Sequence, residues 1–405
     1  MTTESNATES NTADAGAESD ATAINGNTAD SDAATSKGTS TDSNSRVSRE
    51  AARELLIDLV SIPSPSGEEA AAGERLAEFF VANGREVWID DVGNVRAPAD
   101  DAVLLTSHID TVPGDIPVRV EPAGADGPSG VAASGDDVLW GRGSVDATGP
   151  LAAMAVAAVE TGVSFVGVVG EETTSRGARH LVADREAPEA VVNGEPSGVT
   201  GITLGYRGFL SGTYVATSES GHTSRPEPNA IQQAIRWWSS VEAAFEADDY
   251  GPIFEQVTAK PVDLEGGTTV DGLSVEATLE AQLRIPPSLD ADRVRETAEA
   301  SLEVGTVSWK EPIPPVMKSH RNEVARAFRV AIRAQDLEPR LLRKTGTSDM
   351  NIYADAWDCP MVTYGPGNAD LDHAPDERLS LSAYDRSIDV LVDVSDSLGG
   401  DADAE

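Results

Sequence analysis

The stretch AVLLTSHIDTVPG, residues 102–114, decides how this chain folds. Four apolar residues, Ala102 to Leu105, lead into His108 and Asp110 and then into a proline and a glycine that end the run. A continuous apolar run closed by turn formers reads as a strand buried on both faces. The same texture recurs outward from it. EVWID, VSFVGVVGEE and AVVNGEP read as further strands, while GPLAAMAVAAVETG and GARHLVAD read as the helices between them. Apolar strands alternating with helices imply an α/β fold with a mainly parallel central sheet and right-handed crossovers. In such sheets ligands bind beyond the carboxyl ends of the strands, where His108 and Asp110 stand.

The chain has 405 residues and a formal net charge of −39, from 69 acidic and 30 basic side chains. That balance repels phosphate backbones and argues against nucleic-acid binding. The acids are spread along the whole sequence, as expected for a protein adapted to high salt, where the screening length shrinks to about 3 Å at 1 M. No apolar run is long enough to span a membrane, and the N-terminus lacks the pattern of a secretory signal. One cysteine, Cys359, excludes internal disulfides and thiolate metal cages, and a cytoplasmic location is expected.

Residues 1–45 are polar and acidic and contain no aromatic side chain, so a disordered tail is expected there. The α/β texture holds from 46 to 203. Between 204 and 311 it changes to amphipathic strands such as GYRGFLSGTYVATS and LSVEATLEAQLRIPP, each followed by a helix, which suggests an inserted α+β domain. The first texture resumes from 312 to 397, and residues 398–405 form a second short acidic tail.

Four segments repeat the placement of an acid at a strand end. LWGRGSVDATGPLAAM offers Asp146 just before a helix, VVGEETTSRG offers Glu171 and Glu172, VVNGEPSG offers Glu195, and GNADLDHAPDERLSL adds His373. Taken alone, His108 with Asp110 also fits a structural histidine–aspartate contact, and any one acid fits a loop or a cap. The set is harder to explain that way, because unpaired acids beside a buried sheet are costly unless cations neutralise them. Two histidines and several carboxylates suit Zn²⁺ or a similar transition metal.

These segments resemble the dinuclear M20 metallopeptidase family, which includes acetylornithine deacetylase and succinyl-diaminopimelate desuccinylase. SHIDTVP, GRGSVDATGPLAA, GEETTSRGA, NGEPS, GHTSRPEPNA and DHAPDERLSL follow one another in family order from about residue 50 to 395. The resemblance implies a metal-bearing catalytic domain interrupted by a dimerisation domain, hence a homodimer. It implies two divalent ions, Zn²⁺ foremost with Co²⁺ or Mn²⁺ as alternatives, one held by His108 and Glu195 and the other by Glu172 and His373. Asp146 would bridge them, Asp110 would orient the His108 ring, and Glu171 would be the general base. His222 would stabilise the oxyanion, often in the partner subunit's site. Arg284 would bind a substrate carboxylate together with the loop Lys344, Thr345, Gly346 and Thr347. Thr148 and Pro150 depart from the family's usual Asp-x-Lys-Gly-Gly run.

Within the family, DATGPLAA, ITLGYRG and KTGTSDMN look most similar to hydrolases that free lysine or ornithine from the γ-glutamyl terminus of a small amino-group carrier protein, LysW, in lysine and arginine biosynthesis. The rivals are deacylases of the same fold acting on free N-acetylornithine or N-succinyl-diaminopimelate. A non-catalytic binding subunit of the family is the alternative of another class.

Overall fold

The computed structural model describes residues 46–122, 136–246 and 251–399. The tail expected at 1–45 lies outside the described residues. So do residues 400–405 of the second tail, whereas residues 398 and 399 end a helix.

Along the chain come α1 (Arg49–Val60), α2 (Ala70–Ala82), β1 (Trp88–Ile89), β2 (Val95–Ala97), β3 (Asp100–His108), β4 (Arg119–Pro122), β5 (Asp137–Trp140), α3 (Thr148–Thr161), β6 (Val163–Val168), α4 (Arg176–Asp184), β7 (Val191–Gly194) and β8 (Gly201–Tyr206). They are followed by β9 (Gly208–Glu219), α5 (Ala230–Phe245), β10 (Thr258–Thr268), β11 (Ser274–Ile285), α6 (Ala291–Glu299) and β12 (Thr306–Trp309). The last segment holds β13 (Val316–Met317), α7 (Glu323–Ala334), β14 (Arg340–Lys344), α8 (Asp349–Ala356), β15 (Met361–Tyr364), β16 (Arg378–Ser380) and α9 (Leu381–Gly399).

The large sheet runs β1-β2-β6-β3-β7-β15-β8-β13, with β14 also on β8. Its centre is parallel: β3 pairs with β6 and β7, and β7 with β15. Beyond that centre β2, β8 and β13 pair antiparallel, so the sheet is mixed where a mainly parallel one was expected. Both faces are covered, and the side-chain alternation of a strand divides each run between them. Val103 and Leu105 of β3 face the core formed with α1, α3, α7 and α9, while Leu104 faces the core formed with α4 and α8. Helix α3 is buried at every residue from Thr148 to Val159, as its unbroken small and apolar sequence requires. Pro150 sits in its first turn, where the missing N–H has no intrahelical partner to lose.

A second, antiparallel sheet runs β10-β11-β9-β12, with α5 and α6 packed on one face through Trp237, Leu210, Leu283 and Val294. A single residue, Arg207, links β8 of the large sheet to β9 of the small one. Residues 204–206 therefore belong to the large sheet, and the chain rejoins it at β13. Strands β10 and β12 escape sequence reading because β10 is mostly exposed and contains Pro261 and two glycines, and β12 has only four residues. A third sheet, β16-β5-β4, lies beside the loop that carries Asp146.

Candidate active site

The segments carrying His108, Glu171 and Glu172, Glu195 and His373 follow β3, β6, β7 and β15, the parallel strands at the centre of the sheet. Topology thus delivers to one place the residues that the sequence spreads over 266 positions of chain, 108 to 373. Asp146 joins them from the loop before α3.

The geometry is that of two half-sites sharing one carboxylate. His108 Nε2 lies 3.2 Å from Asp146 Oδ1 and 3.9 Å from Glu195 Oε1. His373 Nε2 lies 3.1 Å from Asp146 Oδ2 and 3.1 Å from Glu172 Oε2. Each oxygen of Asp146 therefore faces a different histidine. Ligand atoms of His108, Asp146 and Glu172 all fall within 4.8 Å of one another.

The shell behind these groups is equally ordered. His108 Nδ1 donates to the Asp110 main-chain carbonyl at 2.8 Å, leaving Nε2 for the cluster. The Asp110 carboxylate is farther away, 3.7 Å from Nδ1. It accepts instead from the Glu171 and Glu172 main-chain N–H groups at 3.0 and 3.1 Å and from the Ser66 hydroxyl at 2.6 Å. The ring is thus oriented chiefly by the Asp110 main chain, and the Asp110 side chain holds the segment that presents Glu171 and Glu172.

Electrostatics say what such a cluster needs. Burial pushes the Glu171 carboxyl well above the usual range, and the charge of Glu195 adds to it. Burial, with Asp146 beside it, raises Glu195 to about 8. The hydrogen bonds that its ring donates to Asp146 and Glu172 raise His373 to about 11. Burial alone would raise Asp146, yet the bonds from His108 and His373 hold it well below the carboxylate range. The upward shifts of Glu171, Glu195 and His373 mark an excess of buried negative charge. Two imidazole nitrogens among convergent carboxylate oxygens fit divalent transition-metal ions as the cations that relieve it.

The substrate loop expected from the sequence lies at the end of β14. Lys344 Nζ is 3.9 Å from Asp372 Oδ2. The Thr345 carbonyl accepts from Arg207, Gly346 has open space where a side chain would be, and the Thr347 hydroxyl lies 3.4 Å from Arg284 Nη1. Arg284, on β11, stacks on Phe209 at 4.7 Å and reaches from the inserted sheet to Thr347 in the loop after β14. His222 is not brought to this cluster: it sits in an exposed loop after β9, bonded to Ser224, with no contact to the metal-type residues among the described residues. His180 lies apart from the cluster, 3.8 Å from Asp90.

Three buried residues near the site are not among the site residues expected from the sequence. Glu377 is fully buried and accepts from the N–H groups of Gly143, Val145 and Asp146 and from Arg142. Asp349, at the first turn of α8, is buried and pushed up to about 7 by burial. Arg207 is buried and donates to the carbonyls of Thr345, Ile253 and Gln256 and to the Thr258 hydroxyl. Glu377 lies in DHAPDERLSL and Asp349 in KTGTSDMN, but nothing in local spacing separates them from loop and cap acids.

A LysW-lysine hydrolase of Deinococcus radiodurans is 39% identical over 372 residues, covering 87% of this chain and 98% of that protein. A LysW-lysine/LysW-ornithine hydrolase of Sulfurisphaera tokodaii is 31% identical over 343 residues, covering 83% and 92%. Among solved structures, a tripeptidase of Staphylococcus aureus shares the fold with a TM-score of 0.70 at 21% identity, over 88% of this chain and all of that one. A dinuclear metal binding peptidase of Bacillus subtilis from family M20 superposes with a TM-score of 0.58 at 15% identity, over 86% and 97%. The family model described as peptidase family M20/M25/M40 matches residues 104–397, a span that contains every residue of the two half-sites, and the chain belongs to that family.

Proposed function

We propose that this protein hydrolyses the amide joining lysine or ornithine to the γ-glutamyl terminus of a LysW-type carrier protein, releasing the free amino acid. The single observation that carries the reading is the pair of half-sites around Asp146 in a chain whose curated relatives are named LysW-lysine and LysW-ornithine hydrolases. His108, Asp146 and Glu195 would hold one divalent ion, and His373, Asp146 and Glu172 the other. Zn²⁺ suits the donors best, with Co²⁺ sharing them. Bound there, the metals supply Lewis acidity and make water acidic enough to lose a proton near neutrality.

The remaining work falls to the chain. Glu171, ionised once cations offset the buried negative charge around it, takes the proton from the attacking water and returns it to the leaving α-amine. Asp110 fixes the main chain on which Glu171 stands. Arg284 and Thr347 hold the carboxylate of the amino acid to be released, a task for which the planar guanidinium fork is shaped. Lys344 carries positive charge to the other end of the loop.

The enzyme would act as a homodimer. The outer strand β10 and the α5 face beside it expose Val262, Leu264 and Ile235 around a groove of about 340 Å³, an apolar patch that favours a second copy. His222 would then reach the partner subunit's site as the oxyanion donor. The even spread of acids fits a salt-rich cytoplasm, and no described helix is long and apolar enough to cross a membrane.

The test is amino-acid release by the metal-loaded enzyme in high salt, from carrier bearing γ-glutamyl-lysine or γ-glutamyl-ornithine and from free N-acetylornithine and N-succinyl-diaminopimelate. The expected result is release from the carrier conjugates alone, abolished by a chelator. Glu171→Gln should lower kcat by about 10²–10⁴-fold, the usual contribution of a general base. Turnover of a free acyl amino acid in place of the conjugates would move the enzyme to the deacylase branch.

A further inference from the structure

Two chain crossings join the large sheet to the inserted one, Arg207 on the way out and residues 310–315 on the way back. They run against each other. The Phe209 and Ile313 N–H groups each donate to the other residue's carbonyl at 2.8 Å. A Cβ on Gly208 would lie 2.6 Å from the Ile313 carbonyl oxygen and 2.7 Å from the Pro315 nitrogen, so glycine is what lets the crossings approach this closely. Pro314 and Pro315 stiffen the returning crossing.

This neck is fastened to the substrate loop. The Arg207 N–H donates to the Lys344 carbonyl at 3.4 Å, and its guanidinium to the Thr345 carbonyl at 2.9 Å. One side chain holds both crossings at once. Asn351 is 1% exposed in the first turn of α8, and its Nδ2 donates to the Arg207 carbonyl at 3.2 Å and to the Pro314 carbonyl at 2.8 Å. Its Oδ1 accepts at 2.9 Å from the N–H of Ser348, the residue after Thr347. Both donors and the acceptor of the amide are thus engaged, each with a different chain segment. The cap of α8 needs only the Ser348 hydroxyl, which accepts from Met350, and the Asn351 oxygen. The Asn351 nitrogen is left over from capping, and it is the atom that spans the neck.

The neck bears on the substrate end of the site. Arg284 belongs to the inserted sheet and Thr347 to the loop after β14, and they meet at 3.4 Å. That meeting depends on how the inserted sheet stands on its two crossings. We infer that Asn351 is a positioning residue: by holding both crossings to the start of α8 it fixes the inserted sheet at the angle that brings Arg284 to Thr347. The inference rests on the hydrolase reading for the role of Arg284, whereas the clamp itself rests on the neck. An interaction that only places a binding group serves ground state and transition state alike, so its loss is read in KM rather than in kcat.

The experiment uses the full-length, metal-loaded enzyme. Asn351→Asp keeps the oxygen that caps α8 and removes both donors. Asn351→Ala removes the amide without setting a charge against the two carbonyls, and it serves where the aspartate variant does not fold. KM for the γ-glutamyl-lysine conjugate should rise about tenfold or more while kcat changes by less than about threefold. In an Arg284→Ala background the same substitution should add little, because both changes remove one contact. Hydrogen exchange needs no substrate, and it should be about tenfold or more faster at the Phe209 and Ile313 N–H groups. Unchanged exchange overturns the clamp. A KM effect that persists in full in the Arg284→Ala background overturns the positioning role, as does a lowered melting temperature with KM unchanged. No release by the wild type, with exchange still faster in the variants, overturns the hydrolase reading and supports the clamp.

Discussion

Two buried carboxylates, Asp110 and Glu377, hold the main chain around the metal-type residues. Asp110 fixes the N–H groups of Glu171 and Glu172, and Glu377 fixes those of Gly143, Val145 and Asp146 while pairing with Arg142 at 2.8 Å. Removing Glu377 would strand a guanidinium and three N–H groups where water does not reach. Glu377→Ala should therefore lower the unfolding free energy by about 3–5 kcal/mol in urea titration, the usual cost of breaking a buried pair. By loosening Asp146 it should also weaken metal affinity about 10–100-fold, read by metal titration. A variant unchanged in both measurements would mean that the loop is held from elsewhere.

At the scale of the element, the entry into α3 sets how Asp146 is presented. A Cβ on Gly149 would lie 2.3 Å from the Ser144 carbonyl oxygen and 2.9 Å from Leu379, and the first of these contacts is with backbone that cannot swing aside. Gly149→Ala should destabilise the fold by about 1–3 kcal/mol, as overpacking does. Gly73 in α2 supplies the contrast, because a Cβ there meets only Val95 at 3.5 Å. Gly73→Ala should stabilise by up to about 1 kcal/mol through helix propensity. Thermal unfolding of the two variants should shift in opposite directions; a shared direction would show that propensity, not close approach, governs both sites.

At the scale of the whole molecule, like charge is the dominant stress. On α9, burial raises the Asp396 and Asp393 carboxyls above their usual value, with Glu160 adding to the first and Asp389 and Asp396 to the second. A carboxyl whose folded-state pKa lies above the unfolded one stabilises the fold below the carboxylate range, and that contribution is lost as pH rises through it. At neutral pH both groups therefore oppose folding. Asp396→Asn should raise the melting temperature at pH 7 in low salt, and the gain should vanish below about pH 4, near the ordinary carboxylate pKa. About 1 M salt should erase most of it as well, because screening then acts over about 3 Å. A gain that persists under acid and high salt would assign the effect to packing instead.

The sequence by itself determined the α/β class, and it offered the inserted domain and the metal-type residues as expectations, because strand and helix textures and acids at strand ends are local patterns. Apolar runs fix strands, and His108, Glu171, Glu172 and Glu195 each lie just past or at the end of one. Only the tertiary structure decided that Asp146 faces both histidines, that Asp110 acts on the ring mainly through its carbonyl, and that Arg284 crosses from one sheet to a loop of the other. It also set the antiparallel edges of the large sheet and the burial of Glu377. The physical reason is range. Periodicity and turn chemistry act over a few residues, whereas a carboxylate's partners are chosen by how distant strands and helices pack, and Glu377 meets Gly143 across 234 positions of chain.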